Sequence, residues 1–346
     1  QKYTIDSMAG IYIHVPFCKQ ACNYCNFYFS TSSFFMEDYL KTVLLEISNQ
    51  KEYLEKEELQ SIYFGGGTPS ILSGQAIEQI LSKITANFKL GSNVEITLEA
   101  NPDDLALSKL QELKAIGINR LSIGTQSFHE ADLQFMRRAH NAKEAIQSIE
   151  HASKLGFTNL SIDLIYGVPT QSETAWDENL QMIEKLGVNH LSSYALTVEE
   201  GTPLFHEIRK GKVSNIDDQL AAVNFKQLQA WASQQSWQHY EISNLCKADN
   251  FAIHNTAYWQ GASYLGIGPA AHSFNGVSRQ WNVANLKKYI EAWESQSPSF
   301  TKEILSEKDQ YHEYLLTGIR TMWGINKQDL ANRFPDFYPN FEKQLM

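Results

Sequence analysis

Gly10-Ile-Tyr-Ile-His-Val-Pro-Phe-Cys-Lys-Gln-Ala-Cys-Asn-Tyr-Cys-Asn-Phe27 joins a strand-like run to three cysteines at Cys18, Cys22 and Cys25, spaced C-x3-C-x2-C. Cysteine thiolates are the usual ligands of iron–sulfur clusters, and a four-iron cluster held by three of them keeps one iron open for a further ligand. Two plainer readings compete. Offsets of four and seven also share one helix face, so the thiols could pack as small apolar residues, although Pro16, Asn23 and Asn26 oppose a helix there. A structural zinc site takes four N or S ligands, and no second cysteine pair follows at a suitable distance. Ligand count favours the cluster.

Outward from this stretch, β-rich runs alternate with helical patterns as far as about Val198, the signal of βαβ units and a parallel sheet. Strands are predicted at Ile11–Val15, Ser61–Phe64, Glu95–Glu99, Arg120–Gly124, Asn159–Ile165 and His190–Thr197. Helices are predicted at Phe34–Glu58, Gln75–Asn87, Leu107–Ile116, Ala142–Leu155 and Thr174–Leu186. Six βα units are too few for a closed eight-stranded barrel, so the expected fold is α/β, an open partial (β/α)6 TIM-like barrel over residues 8–198. Residues 199–346 are expected to form a second, mixed α+β domain: a helix at Asp217–Gln235, a short segment Gln238–Ser243, an aromatic-rich stretch through Phe274 and a helix-rich tail from Glu303. Tyr311–Phe334, with Gly324-Ile-Asn between two helical patterns, has the form of a helix-turn-helix and is read as packing.

Composition narrows the function. The chain has 346 residues, 43% of them hydrophobic, enough for a large core, and a net charge of −10 that lacks the basic footprint of a nucleic-acid binder. Four cysteines, three of them clustered, make no disulfide framework and fit a reducing compartment, so a cytoplasmic location is expected. No apolar run approaches the roughly twenty residues that span a bilayer, while a peripheral membrane contact stays open. Residues 1–7 show no periodicity and are given no role.

In a partial barrel, sites lie at the strand C-termini, and the chemically able residues fall there. Gly65-Gly66-Gly67-Thr68-Pro69 follows the second strand and brings bare backbone close to a ligand; it lacks a Walker lysine and G-x-G-x-x-G spacing. Glu99, Gln126, Arg138 and Asp163 put polar groups in or after strands where a parallel sheet normally carries apolar ones. A carboxylate can accept from ribose hydroxyls or an ammonium group and an arginine can pair with a carboxylate, which together suit a zwitterionic nucleoside. An internal salt-bridge network at the barrel mouth is the alternative. His254, in Asp249-Asn-Phe-Ala-Ile-His-Asn-Thr-Ala-Tyr-Trp259, is either a structural hydrogen-bonder or a haem ligand with Tyr258 and Trp259 as flat walls. Cys246 reads as a buried small apolar residue.

Taken together, Tyr12-Ile-His-Val-Pro-Phe-Cys18, Gly65-Gly-Gly-Thr-Pro69, Glu99-Ala-Asn-Pro102, Asn119-Arg-Leu-Ser-Ile-Gly-Thr-Gln-Ser-Phe128 and Asp163-Leu-Ile-Tyr-Gly-Val-Pro169 resemble the coproporphyrinogen-oxidase-related radical S-adenosylmethionine (SAM) family over nearly the whole chain. The resemblance implies a radical SAM barrel with a [4Fe-4S] cluster on Cys18, Cys22 and Cys25. It further implies SAM bound by Tyr12, Tyr24, Gly66, Gly67, Thr68, Glu99, Gln126, Arg138 and Asp163. Two branches of the family fit. Oxygen-independent coproporphyrinogen III dehydrogenases, which oxidatively decarboxylate their substrate to protoporphyrinogen IX, show a further cysteine where this chain has Phe27, and a long extension before the cluster where it has seventeen residues. His254-Asn255-x-x-Tyr258-Trp259 is instead similar to the motif of the HemW-type haem chaperones. That branch implies haem on His254, a recipient haemoprotein and a reductant protein as partners, and leaves SAM cleavage and oligomeric state undetermined.

Overall fold

The computed structural model describes residues 9–54, 57–298 and 300–345. Met8, with which the first predicted domain begins, and residues 1–7 lie outside them. Strands β1 (Ala9–Val15), β2 (Leu59–Gly66), β3 (Leu90–Ala100), β4 (Arg120–Gln126), β5 (Asn159–Tyr166) and β6 (His190–Ala195) pair in chain order, all parallel. Helices α1 (Met36–Asn49), α2 (Gly74–Asn87), α3 (Leu107–Ala115), α5 (Ala142–Lys154, after a short α4, Glu130–Phe135) and α6 (Glu173–Lys185) link them. The sheet does not close on itself, as the strand count predicted.

Period-two patterning divides the two faces of the strands. Ile11, Ile13 and Val15 of β1, Ile62 and Phe64 of β2, Leu98, Leu121, Ile123, Ile162, Leu164 and Leu191 pack outward against Val43 and Ile47 of α1, Ile77 and Ile80 of α2, Leu110 of α3 and Trp176 of α6, in one core. The helices start where capping chemistry starts them. Ser73 accepts from the Ala76 N–H, and Asn141 forms a reciprocal capping box with Glu144.

Four sequence expectations are corrected. The first helix ends at Asn49 rather than Glu58: Gln50 caps it and the chain turns toward β2, with residues 55 and 56 outside the described set. The sixth strand stops at Ala195 rather than Thr197: the pairing of Ala195 with Tyr166 is the last of the ladder, closed by Leu196 N–H donating to the Tyr166 carbonyl. Glu303 belongs to a strand, and helix resumes at Glu307, where Ser306 and Asp309 make a capping box. The third strand starts early, at Leu90.

Residues after 199 also enter the sheet. Antiparallel β8 (Asn244–Cys246) pairs with β6, with β7 (Gln238–Glu241) beyond it. At the other flank β9 (Ser263–Ile267) adds parallel to β1, followed by β10 (His272–Phe274), β11 (Ser278–Asn282) and β12 (Phe300–Ile304). The result is one twelve-stranded sheet in the order β12-β11-β10-β9-β1-β2-β3-β4-β5-β6-β8-β7. Helices α7 (Pro203–Arg209) and α8 (Asp218–Gln234) precede β7, and α9 (Ile253–Trp259) runs between β8 and β9, the two flanks of the open barrel. Helix α10 (Leu286–Glu294) packs on α1. In the tail, α11 (Glu307–Ile319), α12 (Lys327–Arg333) and α13 (Tyr338–Leu345) close around Tyr311, Leu330 and Phe334, so the two helices flanking Gly324 pack as expected.

Candidate functional site

Solvent reaches the inner wall at selected points. In β1 the one partly exposed residue is Tyr12; in β4 it is Gln126; in the interior of β5 it is Asp163. Glu99 near the end of β3 and Tyr63 in β2 are likewise partly exposed between fully covered neighbours. A polar residue that stays accessible in the middle of a central strand lines a cavity rather than a core. All of these except Tyr63 were predicted.

The cysteine loop sits over this cavity. Cys18 N–H donates to Ser30 O at 3.0 Å and Ser30 N–H to Pro16 O, closing residues 16–30 into a ring. Cys18, Cys22 and Cys25 are free thiols, each partly exposed. Asn23, between them, is buried and anchors the loop by donating to Phe135 O at 2.8 Å. The glycine loop docks alongside. Gly67 N–H donates to Val15 O and Thr68 N–H to Phe17 O at 2.7 Å, and a Cβ on Gly67 would sit 2.7 Å from Phe17 O and 3.0 Å from Cys18 Sγ. Only glycine fits between the ring and the strand. Thr68 Oγ1 donates to Cys18 Sγ at 3.5 Å.

Arg138 is the hub. Its Nη1 donates to Cys22 Sγ at 3.2 Å and to the Tyr24 hydroxyl at 3.4 Å; its Nη2 donates to Asn101 Oδ1 at 2.6 Å and to Gly124 O at 2.8 Å. Asn101 Nδ2 in turn donates to Thr68 Oγ1. Asn101 lies in the Glu-Ala-Asn-Pro motif, which was the signal that could have marked it.

Deeper in, Tyr63 OH donates to Glu99 Oε1 at 2.7 Å and Gly66 N–H to Glu99 Oε2 at 3.2 Å. Burial pushes Glu99 up to about 7, against those two bonds, with Asp163 adding repulsion. Burial likewise raises Asp163 to about 6, opposed by Ser192 and by Ser122, whose hydroxyl donates to it at 3.1 Å. Tyr194, 45% exposed at the end of β6, completes the rim. Tyr63, Tyr194, Ser122 and Ser192 escaped the sequence reading because aromatics and small hydroxyls in strands look like ordinary sheet residues.

Burial raises the Cys18 and Cys25 thiols, Cys25 to about 11, so holding them as thiolates takes the positive charge of a metal. Among the described residues, no three potential ligands converge on a point for one ion. Three thiols and no fourth N or S ligand on the loop are a donor set that suits a four-iron cluster with one iron left open rather than a four-ligand zinc site. Cys246 is fully buried, as expected, beside Gln238.

His254 departs from its expected surroundings. Its ring does not lie against Tyr258 and Trp259: Tyr258 packs on Tyr264, and the Arg320 guanidinium covers Trp259 at 4.7 Å. Helix α9 turns His254 into the barrel, stacked on Tyr63 at 5.0 Å and beside Tyr12 at 6.4 Å, with Nδ1 2.8 Å from Ser61 Oγ. Burial lowers it to about 4, so the imidazole is neutral.

The sequence profile of the Radical SAM superfamily matches residues 12–183. The protein named heme chaperone HemW of Bacillus subtilis (strain 168) is 33% identical over 332 residues, covering 94% of this chain and 87% of that protein. The mitochondrial radical S-adenosyl methionine domain-containing protein 1 of Bos taurus is also 33% identical, over 92% of this chain and 75% of its own. A solved structure of the Escherichia coli coproporphyrinogen III oxidase HemN, described as a radical SAM enzyme, shares the fold with a TM-score of 0.85 over 99% of this chain and 82% of that one, at 22% identity. No described helix is long and apolar enough to cross a membrane. On its cysteine loop, its open parallel sheet and these likenesses, the chain belongs to the radical SAM superfamily, in the family that contains the proteins named heme chaperone HemW.

Proposed function

We propose that the protein is a haem chaperone that carries a [4Fe-4S] cluster on Cys18, Cys22 and Cys25, binds SAM above the barrel, ligates haem through His254 and passes it to apo-haemoproteins of respiration. The observation that carries this reading is the identity of about one third, over nearly the full chain, to proteins named for haem chaperoning. Phe27 supports it: two places after Cys25, where the dehydrogenase branch has a fourth cysteine, an apolar ring stands 67% exposed. A cytoplasmic site of action fits the four free thiols.

When bound, the cluster and SAM supply one-electron chemistry. The chain's own residues do the rest. Arg138, donating to the Cys22 sulfur, withdraws electron density from that ligand and favours the reduced state. The bare backbone at Gly66 and Gly67 and the Thr68 hydroxyl give the methionine end of SAM polar partners. Glu99 and Asp163 accept from its ammonium and hydroxyl groups, while Tyr12, Tyr24 and Gln126 line the remainder. A neutral His254 offers a lone pair to haem iron without first losing a proton.

The test is anaerobic reconstitution with iron and sulfide, titration with haem followed by its Soret band, and mixing with an apo-haemoprotein. Stoichiometric uptake and transfer, both lost in His254→Ala, support the reading. Absence of uptake, or turnover of coproporphyrinogen III with SAM and a reductant, overturns it.

A further inference from the structure

We propose that Ser61, Glu95 and Tyr63 form a seat that holds the haem-ligating histidine inside the barrel, and that haem binds only when α9 lifts His254 out of it. The inference rests on His254 being the haem ligand. Three adjacent strands contribute to the seat. From β1, Gly10 leaves no space: a Cβ there would lie 3.1 Å from His254 Nδ1 and 2.8 Å from Ser61 Oγ. From β2, Ser61 bonds Nδ1 at 2.8 Å and Tyr63 stacks on the ring with planes 29° apart. From β3, Glu95 Oε1 accepts the His254 backbone N–H at 3.2 Å, in the first turn of α9.

A planar macrocycle on Nε2 must stand across the imidazole plane. His254 is only partly exposed, and with Tyr63 stacked on the ring and Tyr12 beside it, a macrocycle standing across the seated ring would meet both aromatic side chains. The seat is also imperfect. Glu95 is 4% exposed, yet its Oε2 has no hydrogen-bond partner among the described residues, and neither does the buried Thr256 Oγ1 on α9 itself. Opening would hydrate both atoms, which offsets part of the contacts it gives up. Helix α9 is two turns long, and the chain enters and leaves it at the two flanks of the unclosed barrel. It can swing without breaking any strand pairing.

Removing a bond that exists only in the seated state favours the open state, and a conformational pre-equilibrium lowers apparent affinity by the fraction of competent molecules. Ser61→Ala in the reconstituted full chain is therefore expected to bind ferric haem about three- to tenfold more tightly than the parent, the worth of one hydrogen bond. Amide exchange over residues 253–259 should lose protection when haem binds. Unfolding of Ser61→Ala by urea checks that the variant is folded. If Ser61→Ala binds haem equally or more weakly, or α9 keeps its protection with haem bound, while His254→Ala still abolishes binding, the seat proposal is wrong and the haem-ligand assignment stands. If His254→Ala binds haem normally, the assignment fails and the seat has no cargo role.

Discussion

Glu99 shows how one side chain can make a site sensitive to acidity. With its folded value near 7, it is neutral in acid and an acceptor-only carboxylate above neutrality, and only the charged form attracts an ammonium group. The affinity of the reconstituted protein for SAM is thus expected to fall by up to about tenfold per unit as pH drops below 7. Glu99→Gln should flatten that profile, as equilibrium dialysis between pH 5.5 and 8 would read; an unaltered slope would exclude Glu99 as its source. Tyr63 belongs beside Glu99 in any account of the site, since its hydroxyl holds the carboxylate and its ring faces His254. Sequence patterning exposes residues such as Glu99 and Asp163 because a charge inside a parallel strand is out of place. It conceals Tyr63, because a strand tyrosine has an ordinary home in any core.

Elements are fastened together by a small number of buried polar points, and Glu46 on α1 is one that joins parts of the chain far apart in sequence. Its carboxylate accepts from Gly268 N–H after β9, Asn282 Nδ2 of β11 and the Tyr289 hydroxyl of α10. Burial still raises it from 4.5 to about 7. A carboxyl raised on folding binds its proton more tightly in the native state. Its contribution is complete below pH 4.5 and is lost as pH climbs toward 7. Urea unfolding should accordingly show stability declining across that window, where Glu99 and Asp163 titrate as well, and Glu46→Gln should make the decline shallower. Tyr289→Phe, which removes one donor, should cost about 1–3 kcal/mol at neutral pH. Helices were legible wherever an amphipathic stripe met a cap, as at Ser73 and Asn141. The end of α1 was not, because the residues after Gln50 keep helical composition while the chain is drawn away to begin β2. Helix α9 was illegible for another reason: its seven residues are too few to show a period.

Over the whole molecule, the six parallel strands could be counted in advance because each is a β-rich run bounded by helical pattern. The flanking strands could not. Nothing local tells Ser263–Ile267 to lie beside β1 rather than start a separate sheet, since that choice is made by the register Ile11 with Leu265 across the full chain. A chain cut after Cys246 lacks β9, and β1 then presents an unpaired edge. Size-exclusion chromatography should find it aggregated, and a monodisperse product would show that the eight strands left, β1 to β8, stand alone. The same pairing has a consequence on the ribosome. Val15 is synthesised 252 residues before Ile267. At about 5–20 residues per second, the outer edge of the first strand waits roughly 13–50 s for its neighbour to emerge. Throughout that interval the nascent chain must keep its founding strand from pairing with another copy on the same message, so the rate of translation becomes one of the quantities that decide its yield.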